Sequence, residues 1–160
     1  MFRITRVLSV GRFATPERAE DLRAAGVSHI LNVSEAPCGV CATPEGFRAV
    51  EWVPLEDRSP VPPHTLVQLL DTLHEMAVVP NSHVYIHCIA GQLRSPTVLW
   101  LYLIACGVPP IDAREWIEDR SPDASPGSTR MVDDSLVRFA QQHGLAKFCP
   151  HPRAEVIIPI

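Results

Sequence analysis

Residues 84–105 constrain this chain more than any other stretch. Val84-Tyr85-Ile86 is a β-branched and aromatic burst that reads as a buried strand. It stops at His87-Cys88, and a short loop with one glycine, Ile89-Ala90-Gly91-Gln92-Leu93, leads to Arg94-Ser95-Pro96. Ser95 is a good N-cap and Pro96 a good first helical residue, since its missing N–H would be unpaired there anyway. Thr97 to Ala105 then reads as a buried helix, closed by Gly107 with prolines just beyond. The segment is therefore strand, tight loop and helix, opened by a cysteine and closed by an arginine.

Such a loop points several backbone N–H groups into one concavity, and the helix dipole adds positive potential. An oxyanion with three equatorial oxygens fits there, held by the amides of Ile89, Ala90, Gly91, Gln92 and Leu93 and by the planar fork of Arg94. Cys88 lies at the floor of the cup, where N–H dipoles and a cationic neighbour favour thiolate. Comparable sites lower a cysteine pKa from about 8.5 to about 3.5–7.5. A thiolate below a bound phosphoryl group is placed for in-line attack, which gives a cysteinyl-phosphate intermediate. On a strand the side chain of His87 points away from that of Cys88, so His87 is expected to tune the loop from behind.

The chain is long enough for a real core, and no composition shift divides it. A net charge of −4 argues against nucleic-acid or anionic-membrane affinity. No stretch reads as a signal peptide or a membrane span. Five cysteines, one of them needed as a thiolate, argue against a secreted disulfide scaffold and for a reducing cytoplasm.

Ile4 to Val10 reads as a strand. Thr15-Pro16-Glu17 starts a helix that Gly26 stops, and Val27 to Val33 is the next strand. Residues 34–46 are a loop, and Phe47 to Leu55 a strand with Val50, Trp52 and Val53 as buried candidates. A proline-dense connection over 56–63 precedes an amphipathic helix, His64 to Val79, with Leu66, Leu69, Leu70, Leu73, Met76 and Ala77 on one face. Pro110 and Asp112 begin another helix, through Arg120. Met131 to His143 is the last, with Val132, Leu136, Val137, Phe139 and Ala140 inward and Gly144 ending it. The tail, 145–160, is expected to add an edge strand at Val156-Ile157-Ile158 or to be disordered.

His87-Cys88-x-x-Gly91-x-x-Arg94-Ser95 resembles the signature of the cysteine-dependent protein tyrosine phosphatases, and most closely their dual-specificity subgroup. Gly26-Val-Ser-His-Ile-Leu-Asn-Val33 resembles an early strand of that subgroup. Arg120-Ser-Pro-Asp-Ala-Ser-Pro-Gly127 is similar to its connection near the C-terminus. The resemblance implies an α/β fold, with a central, mostly parallel twisted sheet of four to five strands flanked by helices. It implies one catalytic domain over 1–144, with 145–160 a tail of its own, and a metal-independent phosphatase needing no cofactor. Its partner would be a phosphorylated protein, through phosphotyrosine and phosphoserine or phosphothreonine.

The leaving oxygen needs a proton, and the resemblance assigns its supply to Asp57, in Val53-Pro-Leu-Glu-Asp-Arg-Ser-Pro60; adjacent Glu56 is chemically able too. It gives Ser95 a second role beside capping, hydrogen bonding the departing Cys88 sulfur. Cys38-Gly-Val-Cys41 is open to three readings: a disulfide partner that protects Cys88, a zinc site with Cys149 and His151, or inert thiols. The loop interior has no lysine or arginine, which weakens an inositol-lipid or RNA-triphosphate substrate. The rival classes are a non-catalytic phosphate-binding module and a sulfur transferase or arsenate reductase. The joint presence of Cys88, Arg94 and Asp57 favours the phosphatase.

Overall fold

The computed structural model describes residues 1–148 and 154–160. Among these, five strands are joined in the order β1-β2-β5-β3-β4: β1 Phe2–Arg3, β2 Leu8–Gly11, β3 His29–Asn32, β4 Ala49–Trp52 and β5 Val84–His87. Only β1 runs antiparallel; β2, β5, β3 and β4 are parallel to one another, with β5 between β2 and β3. The helices are α1 Pro16–Ala24, α2 Pro63–Ala77, α3 Arg94–Ala105, α4 Pro110–Arg120 and α5 Asp134–Lys147. The expected α/β architecture is thus present.

Both faces of the sheet are covered, so β5 is buried throughout and its period-2 alternation sorts side chains between two cores. Val84 and Ile86 join the larger core, with Leu31 and the apolar faces of α2, α3 and α5. Tyr85 joins the smaller one, with Ile30, Phe47 and the α1 residues Ala19 and Leu22. All six residues expected on the inner face of α2 are buried there. Helix α3 is buried along its whole length and packs on α2, α4 and α5.

Several boundaries differ from expectation for local reasons. The expected strand Ile4–Val10 is a hairpin: Thr5 Oγ accepts the N–H groups of Val7 (3.2 Å) and Leu8 (3.0 Å) and turns the chain between β1 and β2. The strand expected over 47–55 is shortened to β4, which lies at the sheet edge. There Trp52 is 46% exposed and not buried, its indole N–H donating to the Ser34 carbonyl at 2.8 Å. In the tail, the edge strand expected at 156–158 is replaced by a 3-10 turn, Ala154–Ile157, that buries Val156. Beyond it, Ile158 accepts the Arg6 N–H at 3.2 Å and Pro159 is bridged to Thr5.

Helix α5 is capped by Asp133, whose carboxylate accepts the Leu136 N–H at 2.8 Å, and runs from Asp134 through Gly144 to Lys147. Gly144 is therefore not a stop. It is the point where α5 crosses the end of α3, and a Cβ there would overlap the carbonyl of Ala105. Gly144→Ala is expected to cost about 2–3 kcal/mol by overpacking, lowering Tm by roughly 5–10 °C. An unchanged Tm would mean that the two helices separate freely.

Two buried histidines make the fold sensitive to acid. His83 bonds Ser9 at 2.6 Å and is 4% exposed. His87 is fully buried, its Nδ1 pairs with the Cys88 carbonyl at 3.2 Å, and its Nε2 has no partner among the described residues. Burial pushes both pKa values down to about 4. Below about 6.5, the ordinary imidazole value, the unfolded chain takes up protons that the fold refuses. Stability is therefore expected to fall between pH 6.5 and about 4, read as a declining urea midpoint. The decline should be shallower in His83→Gln; a flat midpoint over that window would contradict this account.

Candidate active site

The loop 88–93 leaves the C-terminal end of β5, beside the C-terminal ends of β2 and β3. Neighbouring segments brace it. Phe13 donates its N–H to the Ile89 carbonyl (3.1 Å), and Ser125 to that of Gln92 (2.7 Å). Gly91 has φ +77°, and a Cβ on it would meet the backbone of Gly11, so this position needs glycine on two counts. Ile89, Ala90 and Gln92 are exposed, Leu93 is half-buried and Gly91 is buried.

Cys88 is 3% exposed. Its Sγ accepts the Gly91 N–H at 3.3 Å and lies 3.4 Å from Ser95 Oγ. Burial pushes the thiol pKa up. The hydroxyl and N–H of Ser95, the N–H of Gly91 and the charge of Arg94 pull it down, and the balance is below the ordinary thiol value. Ser95 is not the helix cap, because α3 starts at Arg94 and the cap residue is Leu93. The Ser95 hydroxyl is instead turned to the sulfur, while Pro96 still falls in the first turn, where a missing N–H costs nothing.

Arg94 is 5% exposed. Its Nη1 donates to the Leu55 carbonyl at 3.1 Å and meets Glu35 Oε2 at 3.4 Å, while Nε faces Asp57 Oδ1 at 3.5 Å. Cys88, Arg94, Ser95 and Asp57 are thus brought together, and of the two adjacent acids it is Asp57 that pairs with Arg94. Arg58, directly after Asp57, has φ +55°, a left-handed conformation that turns the loop sharply at that point. His87 points to the α1 side of the sheet, 5.1 Å from the Phe13 ring in an edge arrangement and 5.8 Å from Tyr85. Its uncharged ring donates from Nδ1 to the Cys88 carbonyl, because a proton on Nε2 would be buried without an acceptor.

Sequence reasoning missed Glu35 and the Leu55 carbonyl. Glu35 follows β3, which pairs with β5, and such strand ends border the crevice of a parallel sheet. The Asn32 side chain shapes that turn, accepting from the Ser34 N–H (2.9 Å) and hydroxyl (2.7 Å) and donating to the Ala36 carbonyl (2.7 Å). Cys38 is half-buried, Cys41 exposed, and both are free thiols. No metal-ligand cluster occurs among the described residues, and the partners expected for a zinc site, Cys149 and His151, lie outside them.

Comparison with known proteins agrees with this architecture. Mouse protein tyrosine phosphatase type IVA 2 is 30% identical over 103 residues, 63% of this chain and 61% of the relative. Human protein tyrosine phosphatase type IVA 3 is 30% identical over 105 residues, 63% of this chain and 59% of the relative. The chain thus matches about three-fifths of these relatives' length. The fold is similar to that of PTPMT1 in complex with PI(5)P (TM-score 0.72, 18% identity, 90% of this chain and 96% of that one). It is also similar to human DUSP28 (TM-score 0.65, 23% identity, 91% and 96%). Residues 5–142 match the family described as "PTP-SAK: Swiss Army Knife protein, DSP-PTPase phosphatase domain", and the chain belongs to that family.

Proposed function

We propose that this protein is a metal-independent phosphomonoester hydrolase. It acts through a cysteinyl-phosphate intermediate on phosphotyrosine and on phosphoserine or phosphothreonine in proteins. The observation that carries the reading is the double hydrogen bonding of Cys88 Sγ by Gly91 and Ser95, beside a buried Arg94. The loop N–H groups and Arg94 hold the phosphoryl oxygens while the thiolate attacks phosphorus; the S–P bond forms as the P–O bond breaks. Asp57 gives its proton to the leaving oxygen. A water molecule then attacks phosphorus, Asp57 takes its proton, and the S–P bond breaks. Ser95 donates its hydroxyl hydrogen to the departing thiolate, and inorganic phosphate leaves. The catalytic unit expected over 1–144 supplies every one of these groups.

A reducing, cytoplasmic setting suits this chemistry, because a low-pKa thiolate is readily oxidised. No helix among the described residues is long and apolar enough to cross a membrane. A second reading, hydrolysis of an inositol lipid, is favoured by the fold likeness to PTPMT1 holding PI(5)P. The absence of any basic residue between Cys88 and Arg94 counts against it.

Hydrolysis of an aryl phosphate is expected to proceed in EDTA and to vanish in Cys88→Ser. Asp57→Asn should slow poor leaving groups by about 10²- to 10⁴-fold and spare good ones. Equal losses on both would remove Asp57 from the acid's role.

Ser95→Ala separates the two steps. Losing a donor to a charged sulfur is expected to slow hydrolysis of the intermediate by about 10- to 100-fold, giving a burst of released alcohol. It should also move the acid limb of kcat/KM to higher pH, because one of the interactions lowering the Cys88 pKa is gone. A variant with neither burst nor shifted limb would show that the hydroxyl does not serve the sulfur.

A further inference from the structure

A cavity of about 480 Å³ opens beside the signature loop, sharing Ala90, Gly91 and Gln92 with it but none of Cys88, Arg94 or Asp57. It is therefore a neighbour of the reacting cup and not the cup itself. Its volume is that of a ligand site, several times what one small ion needs. Buried Leu22 and Tyr85 contribute an apolar floor, and Phe2, 40% exposed, an apolar rim.

The charged lining is Arg12, Arg18, Asp21 and Asp123, all exposed. The two guanidiniums share one neighbourhood: besides burial, Arg18 and then Arg12 lower the pKa of the Met1 amino group at the cavity's edge. Arg18 holds the Phe13 carbonyl through Nη1 at 2.9 Å, and Tyr85 donates its hydroxyl to the Arg12 carbonyl at 2.6 Å. Both arginines are thereby fixed to the segment that leaves β2 and braces the loop at Ile89.

We propose that this cavity is the subsite for the residues flanking the phosphoresidue of a peptide substrate, and that it selects an acidic flanking side chain, held by Arg12 and Arg18 over the apolar floor. The lining interleaves basic and acidic side chains, Arg12 and Arg18 with Asp21 and Asp123. That suits a peptide, whose backbone N–H groups satisfy aspartates while its carboxylate meets arginines. The two carboxylates disfavour a densely anionic membrane surface. The inference rests on the phosphatase reading proposed above and names the substrate feature that the same site prefers.

The test compares phosphopeptides differing only in a flanking Glu, Gln or Lys, with an aryl phosphate lacking any flank as reference. Wild type is expected to prefer Glu over Lys in kcat/KM. Arg12→Ala is expected to reduce the Glu peptide by about three- to tenfold, chiefly through KM, with aryl phosphate turnover unchanged. Arg12→Glu should invert the preference toward Lys, an outcome that general damage to the loop would not produce. Peptide binding to Cys88→Ser, followed by fluorescence polarisation, tests the subsite even if no hydrolysis is seen. Loss of turnover everywhere thus sinks the phosphatase reading alone. A wild type blind to the flank, a preference that survives Arg12→Glu, or arginine-dependent hydrolysis of PI(5)P vesicles in place of peptides would overturn the proposal.

Discussion

A charged side chain held 5% exposed beyond the end of the central strand is the costliest feature of this fold. Arginine stays charged at any ordinary pH, so its desolvation has to be offset by acceptors brought to it. Those acceptors come from two other stretches of chain, the Leu55 carbonyl with Asp57 from the segment after β4, and Glu35 from the turn after β3. The two segments already run side by side, Val53 and Leu55 donating to the Asn32 and Val33 carbonyls and sharing the larger core with Val33, and Arg94 ties both to the start of α3. Their side chains remain exposed, with relative exposures of 47% for Asp57 and 61% for Glu35. These contacts are therefore solvent-screened, weak enough to rearrange when an oxyanion arrives.

The rigid half of the site has a different origin. Helix α3 is buried throughout and β5 lies at the middle of the sheet, so both ends of the loop are tied to the main core. The braces at Ile89 and Gln92, together with the close approach of Gly91 to Gly11, complete the enclosure. The loop backbone is therefore held in place from both sides, as an electrostatic site must be if no energy is to be spent reorienting dipoles.

This division explains what could be read in the residues alone. The β5-loop-α3 unit was legible because its apolar pattern, its single glycine and its Cys and Arg are contiguous in the chain. The inner face of α2 was legible because helical periodicity is a local property. Glu35 was not, since its function depends on β3 lying next to β5, a pairing between residues more than fifty apart. Gly144 looked like a helix end because glycine usually is one, and only the crossing of α5 on α3 makes it a contact residue. Trp52 looked like core because it is large and apolar, yet an edge strand leaves it half open. Ser95 looked like a cap; a serine in a first helical turn serves a cap or a neighbour, and here the sulfur lies within reach.

The arrangement around Arg94 also bears on the order of events in the proposed reaction. Asp57 faces Nε, one of the two fork nitrogens that a phosphoryl group would use. A bound dianion and an ionised Asp57 would then sit against the same guanidinium, two like charges competing for one cation. The dianion wins that competition, because it also gains the amide ring and the dipole of α3. The carboxyl that it displaces is 47% exposed, on a loop turned sharply by the left-handed Arg58, and it leaves Nε for the open side of the cup. In the proposed reaction, holding the phosphoryl group and freeing Asp57 to reach the leaving oxygen are therefore one event.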